Sequence, residues 1–285
     1  MKNAIVRLSE YVKNATETEE NVVRYLLEDT EIAATLTIHE LAKRTYSSSS
    51  TIIRLCKKLG FKGYKDFSRS MVYELANRKD PEIKYDRDIE KDSSLQEVTD
   101  KILYRSIAAL EKTRALIEPE ILQNCVYLLE KSSKIVFFGV GSSLIVGQDA
   151  KAKFMRINKI CFCEADFQAQ LVMAKNMDER DVGIVISYSG LTGEMLDIAA
   201  ILKKRKVPII SITRFADTEL SAMSDYKLWV ASSEYLVRSA AMTSRLAQLY
   251  VIDILYAAYV QLDYGKNIER IQRTQMKKHK QKEGE

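Results

Sequence analysis

Residues 181–213 read DVGIVISYSGLTGEMLDIAAILKKRKVPIISIT. They open on a continuous apolar run, cross a loop of small hydroxyl residues, pass through a helical pattern over 192–205 and meet a second β-branched run at Val207. A buried strand, an amphipathic helix and another buried strand make a βαβ unit, which requires parallel strands and a right-handed crossover. The same texture continues to either side. KIVFFGVG (134–141), KICFC (159–163) and YKLWVA (226–231) read as further strands, with helical patterns over 144–157, 167–177 and 217–223 between them. A long helix over 239–262 closes the unit. The expected fold is a Rossmann-like α/β domain, a five-stranded parallel sheet flanked by helices.

Upstream, the texture is all-α. EENVVRYLLED (19–29) places Val22, Val23, Leu26 and Leu27 on one helical face. Thr37 and Glu40 form a capping box that opens IHELAKRT, with Ile38, Leu41 and Ala42 facing inward. After a short break at Tyr46-Ser47 comes SSSTIIRLCKKLG (48–60), with Ile52, Ile53, Leu55, Cys56 and Leu59 expected on the buried side and Gly60 as the C-terminal cap. YKDFSRSMVYELANR (64–78) follows as another helix. Two short helices three or four residues apart, the second basic and started by serines, describe a helix-turn-helix. The chain therefore divides into a helix-turn-helix domain (1–78), a charged linker (79–93), an α/β domain with preceding helices (94–263) and a basic tail (264–285). Ser94 and Glu97 form a second capping box, and Pro119 suits the first turn of a helix. The sparse apolar residues of the tail suggest a solvated extension.

Composition agrees with a globular chain: 285 residues, 46% hydrophobic, 29% charged, with only 10 Gly and 3 Pro. No apolar run reaches the roughly 18 residues that span a bilayer, and the polar start MKNAIVRLSEYVKNATETEE has no signal-peptide pattern. The expectation is a cytoplasmic protein without a membrane partner. Cys56, Cys125, Cys161 and Cys163 form no CxxC pair, and His39 and His279 stand far apart, so neither a metal site nor a disulfide framework is expected. The net charge of +5 is unevenly spread. Residues 43–69 hold eight basic side chains (Lys43, Arg44, Arg54, Lys57, Lys58, Lys62, Lys65, Arg69) against one acidic, Asp66. Such a block fits either an anionic polymer or a solvated lysine-rich helix face.

Two of the strands end in hydroxyl-rich loops that run straight into helices: Gly139-Val140-Gly141-Ser142-Ser143 and Ser187-Tyr188-Ser189-Gly190-Leu191-Thr192. In a parallel sheet these loops lie at the carboxyl ends of strands, where ligands bind. Free N–H groups at a helix start favour a phosphate, although a single loop of this kind is equally an ordinary N-cap. GVGSS lacks the third glycine of a dinucleotide fingerprint, and no GxxxxGK[ST] occurs, so no nucleotide cofactor is expected. Isomerising a sugar phosphate needs a general base and often a histidine, and none lies between residues 40 and 278. Glu194, Glu234 and Asp166 remain as carboxylates, Glu194 also being placed to complement a helix dipole. A non-enzyme is expected, with a phosphosugar isomerase or lyase carrying a fused basic domain as the alternative.

TIHELAKRTYSSSSTIIRLCKKLGFKGYKDF resembles the helix-turn-helix of the RpiR/MurR family of bacterial transcriptional regulators. FFGVGSS, ISYSGLTGE and RSAAMTSRLAQL resemble the sugar isomerase (SIS) domain of the same family. The resemblance implies a regulator of carbohydrate metabolism that binds double-stranded operator DNA and senses a phosphorylated sugar. It also implies a homodimer or homotetramer assembled through the SIS domains. By position it assigns the phosphosugar to Ser187, Ser189 and Thr192, with Ser142 and Ser143 beside them, Glu194 in the next helix, and Arg238 and Ser239 at the start of the last helix. Many relatives carry a glycine in the turn where this chain has Thr45-Tyr46-Ser47. On the DNA side, the start of the second helix, Ser48, Ser49, Ser50 and Thr51, would approach base edges, and Arg54 is the candidate for a bidentate guanine contact. Lys43, Arg44, Lys57, Lys58, Lys62 and Lys65 would hold phosphates.

Overall fold

The computed structural model describes residues 3–76, 93–231 and 241–275. The N-terminal domain contains α1 (Ala4–Tyr11), α2 (Glu17–Glu28), α3 (Thr30–Thr35), α4 (Ile38–Arg44), α5 (Ser49–Lys58) and α6 (Tyr64–Ala76). Local chemistry sets their ends. Thr16 with Glu19 and Thr37 with Glu40 form reciprocal capping boxes on α2 and α4, Ser48 accepts from the Thr51 N–H to start α5, and Gly60 follows α5 at φ +85°. Leu8, Val22, Val23, Leu26, Leu41, Ile52, Leu55, Leu59, Phe67 and Met71 fill the core between these helices.

Two further helices, α7 (Leu95–Leu116) and α8 (Pro119–Lys131), precede the sheet. The Ser94–Glu97 capping box starts α7, and Pro119 sits in the first turn of α8. The sheet comprises β1 (Ile135–Phe138), β2 (Cys161–Phe162), β3 (Val182–Ile186), β4 (Ile209–Arg214) and β5 (Tyr226–Val230), all parallel, in the order β2-β1-β3-β4-β5. The crossover helices are α9 (Ser142–Arg156), α10 (Phe167–Lys175), α11 (Gly193–Lys204) and α12 (Glu219–Met223), and α13 (Thr243–Leu262) follows β5. Both faces are covered. α8, α9 and α13 bury one face around Phe137, Phe154, Ile184, Ile212 and Leu255, and α10, α11 and α12 bury the other around Phe138, Val185, Ile198 and Leu202. This doubly wound architecture is the expected one.

Two features differ from the sequence reading. The start of the 264–285 tail is a docked helix, α14 (Tyr264–Arg273). Ile268 and Ile271, one helical turn apart, pack on the core beside α13, and the buried Asn267 amide donates to Val260 O (3.3 Å). Spacing, not apolar density, makes that segment stick. Ile53 is exposed, because α5 buries only Ile52, Leu55 and Cys56. Nearly all of the 79–93 linker lies outside the described residues, as do residues 232–240 and 276–285.

The two cores are joined. Leu116, Phe215 and Ala231 belong to the same buried cluster as the helix-turn-helix, with Trp229 packed against it. At the centre of the joint is Arg7, 2% exposed. Its Nη1 donates to Leu59 O at the end of α5 (2.9 Å), its Nη2 to Glu118 Oε1 (2.7 Å), and its guanidinium lies 4.9 Å from the centre of the Phe215 ring. A charge so deeply buried persists only because it is paired and hydrogen-bonded.

Candidate functional site

Two regions gather the residues singled out above. The first is the outer surface of α4, α5 and α6. Lys43, Ser50, Arg54, Lys57, Lys62 and Lys65 are exposed there, and Ser49 and Thr51 are half-buried. Ser48 is exposed but spends its oxygen as the α5 cap, and its hydroxyl lies 2.9 Å from that of Thr51. Arg44 donates through Nη1 to the Tyr25 hydroxyl (2.7 Å), which fixes its guanidinium above α2.

Lys58 is exposed but also has a partner inside the domain. Its Nζ lies 2.7 Å from Glu19 Oε1, a carboxylate whose side chain is nearly buried. Burial alone would push the Glu19 carboxyl up, but Lys58 and the Thr16 backbone and hydroxyl donors hold it below its ordinary value. Lys58 therefore ties α5 to α2 while its side chain remains 40% exposed. Sequence spacing could not separate it from Lys57, which has no ion pair among the described residues.

The turn before α5 holds Tyr46 in a left-handed conformation (φ +50°) with its side chain 97% exposed. Ser47 N–H closes the turn on Ala42 O (2.9 Å). The conformation that glycine would take without cost is thus held here by a bulky aromatic residue.

The second region lies at the carboxyl end of the sheet. Phe138 of β1 pairs with Val185 of β3, so the loops 139–143 and 187–192 leave neighbouring strands side by side. β1 and β3 are also the strands between which the order reverses, the place where doubly wound sheets open a crevice. Ser187, buried, puts its Oγ 3.0 Å from Thr192 Oγ1, and Ser189 Oγ lies 3.5 Å from the same hydroxyl. Gly190 (φ +66°) makes the loop possible, since any Cβ would overlap the Thr218 side chain. Gly139 has the same role beneath α9: a Cβ there would fall 2.9 Å from the Ser143 backbone.

Neither helix that starts here is capped by its own side chain. Gly141 precedes α9, and Thr192 precedes α11 with its hydroxyl turned towards Ser187 and Ser189. By contrast α2, α4, α5, α7, α10 and α12 each take a side-chain oxygen from the N-cap residue. Two helix starts without a side-chain cap, on neighbouring strands, thus put the positive ends of their dipoles beside a cluster of hydroxyls. Ser142 is half-buried, Ser143 is buried, and Glu194 is exposed in the first turn of α11. Arg238 and Ser239 lie outside the described residues.

Comparison with known proteins gives this arrangement a family. Residues 2–78 match the helix-turn-helix domain of the rpiR family, and residues 128–258 match the SIS domain. Over 257 residues the chain is 34% identical to YbbH of Bacillus subtilis, named an uncharacterized HTH-type transcriptional regulator, covering 90% of each chain. A regulator with the same style of name from Caldanaerobacter subterraneus is 32% identical over 274 residues, 96% of each chain. The chain belongs to the RpiR family. Among solved structures, NanR of Vibrio vulnificus complexed with ManNAc-6P superposes with a TM-score of 0.59 at 26% identity, covering 95% of this chain and 96% of NanR. The protein is thus an RpiR-type transcriptional regulator with an N-terminal helix-turn-helix and a C-terminal SIS domain.

Within the regulator's SIS domain, two buried amides support the crevice and were not singled out from sequence. Gln170 of α10, 1% exposed, donates to Gly139 O (2.9 Å) and accepts from Gly139 N–H (3.3 Å), pinning the first loop in both directions. Gln248 of α13 donates to Ser143 Oγ (3.3 Å). The available signal was a polar residue in phase with an apolar helix face: Gln170 with Ala174, and Gln248 with Val251, Ile252 and Leu255. The four cysteines are buried thiols. Burial pushes Cys56 and Cys125 up to about 12, and Cys161 and Cys163 up to about 11, so they stay protonated and poorly nucleophilic. Among the described residues no His/Cys/Asp/Glu cluster could hold a metal, and no helix is long and apolar enough to cross a membrane.

Proposed function

We propose that this regulator binds operator DNA through α5 and senses a phosphorylated sugar in the crevice between loops 139–143 and 187–192, acting in the cytoplasm on genes of carbohydrate metabolism. The observation that carries the reading is the cluster Ser187, Ser189 and Thr192 at the uncapped start of α11, on the switch point of the sheet. A phosphate there would accept from the hydroxyls and from helix-terminal N–H groups, with Ser142 and Ser143 contributing from α9. NanR, with an SIS domain of the same fold, is complexed with ManNAc-6P, which supports a phosphosugar as the guest. Arg54 would read a guanine, and Lys43, Lys57, Lys62 and Lys65 would hold phosphates. Leu103, Tyr104 and Ile107, exposed along α7, favour self-association into a homodimer or homotetramer.

The route between the sites is short. Arg214 N–H and Thr213 Oγ1 both donate to Tyr188 O inside the effector loop (3.0 and 3.3 Å). The next residue, Phe215, lies under the Arg7 guanidinium, which holds the last carbonyl of the α5 cap. Linkage is reciprocal and typically about 1–3 kcal/mol. Titrating sugar 6-phosphates in the presence and absence of bound duplex tests it: DNA should change sugar-phosphate affinity by the same factor as sugar phosphate changes DNA affinity. Ser189→Ala should abolish thermal stabilisation by the sugar phosphate while leaving DNA affinity intact. An unchanged response removes the 187–192 loop from the pocket. Turnover of hexose phosphates by the purified protein would instead establish the isomerase alternative, for which Glu194 is the carboxylate nearest in sequence to the loop.

A further inference from the structure

Ile53 lies outside the buried core of the N-terminal domain. Its neighbours Ile52 and Leu55 are sealed in the core, whereas Ile53 is 38% exposed. A β-branched residue gains nothing for a solvated helix, where an alanine, lysine or glutamate is the better former. Helical spacing sets Ser50, Ile53, Arg54 and Lys57 in one outward stripe at i, i+3, i+4 and i+7, all exposed. The stripe lies on the second helix of the helix-turn-helix, in a segment with eight basic residues and one acidic, so its complement is a polyanion. The major-groove edge of DNA carries one apolar group, the 5-methyl of thymine. Arg54 beside it has the fork that suits a guanine.

We propose that Ile53 reads a thymine methyl in the major groove, at a base next to the one contacted by Arg54. The proposal rests on the reading of the protein as DNA-binding. Ile53 then supplies part of the discrimination that the serines at the start of α5, being both donors and acceptors, do not.

The test uses the full chain and a duplex selected by the wild-type protein from a randomised library, in which thymines are replaced one at a time by uracil. Uracil keeps the pairing and lacks only the methyl. Wild-type affinity should fall about fourfold at one thymine per half-site, the factor for exposing one buried methyl group. Ile53→Ala should bind the thymine duplex about fourfold more weakly and lose the uracil penalty at that position, and Ile53→Val should retain part of it. The slope of affinity against salt should be unchanged in both variants, since no phosphate contact is removed. A wild type indifferent to uracil everywhere, or a penalty that persists in Ile53→Ala, overturns the assignment. So does an Ile53→Ala protein whose oligomeric state changes in sedimentation, which would make Ile53 a self-association residue. A wild type that selects no sequence refutes the DNA-binding reading itself, a distinct failure.

Discussion

Replacing Arg7 by alanine should uncouple the two domains at a cost of about 3 kcal/mol, in the lower part of the range for breaking a buried pair. The substitution removes a donor to Leu59 O at the α5 cap and a partner of Glu118. A hydrogen bond involving a charged group contributes about 1.5–3 kcal/mol. The guanidinium over Phe215 adds about 1 kcal/mol. The loss is held down on the other side, because Glu118 is 28% exposed and can turn to water, and because Arg7 Nε is itself buried without a partner. Arg7→Lys keeps the charge but loses the fork, and should cost about half as much. The chain contains a single tryptophan, Trp229, whose ring meets that of Phe215 edge-on at 5.3 Å. Its fluorescence therefore reports the joint, while circular dichroism reports all helices. In urea the two signals should coincide for the wild type. For Arg7→Ala the tryptophan transition should move to lower urea and separate from the helical one. A loss below about 1 kcal/mol, or coincident transitions in the variant, would refute Arg7 as the tie between domains.

Gly190→Ala places a side chain at φ +66° against Thr218, so stability should fall by about 1–3 kcal/mol. Thermal denaturation with hexose 6-phosphates should then show no ligand-induced rise. Tyr46→Gly should do the opposite: relief of a left-handed cost of roughly 1–2 kcal/mol, offset by roughly 0.4–1 kcal/mol of added chain entropy, leaves a stability gain of about 0.5 kcal/mol, read as a raised midpoint of unfolding. Glu19 carries a pH dependence. Its carboxyl lies below the ordinary value when folded, so its contribution is present above the unfolded carboxylate value and is lost as pH falls through the lowered one. Acid titration of wild type and Glu19→Gln should give stability curves that converge at low pH and diverge above it.

The fold was legible because its signals are local. β1 (IVFF) and β3 (VGIVI) are continuous apolar runs, and the capping boxes at Thr37 and Ser94 mark helix starts within four residues. The hydroxyl cluster was legible for the same reason, since Ser187, Ser189 and Thr192 are neighbours in sequence as well as in space. What escaped depends on a partner from elsewhere. Lys58 and Lys57 look alike until Glu19, 39 residues away, is folded against one of them. Ile53 looked like core because Ile52 is core, and only the rotation of α5 against α2 separates them. Gln170 and Gln248 earn their place through Gly139 and Ser143, on other elements. α14 needed the groove beside α13 before two isoleucines counted as a face.

The joint bears directly on how a ligand could move a DNA-binding helix. The helix-turn-helix does not close its own core: Leu116, Phe215 and Ala231 close it from the far side of the linker. Phe215 follows β4, and β4 ends on the two hydrogen bonds that hold Tyr188 in the 187–192 loop. Gly190 of the same loop accepts from Leu220 N–H and touches the Thr218 side chain, so residues 213–220 border the crevice on one side and the N-terminal core on the other. If a phosphate held by Ser187, Ser189 and Thr192 shifts the loop, this segment is the first it would load. Within it, Phe215 lies against the Arg7 guanidinium, which bonds the cap of α5. Packed interiors have low compressibility and transmit strain, so these contacts form a continuous route for the proposed coupling. The covalent linker is not needed for this route, and a chain cut within 79–93 whose halves remain associated should keep its sugar-phosphate response.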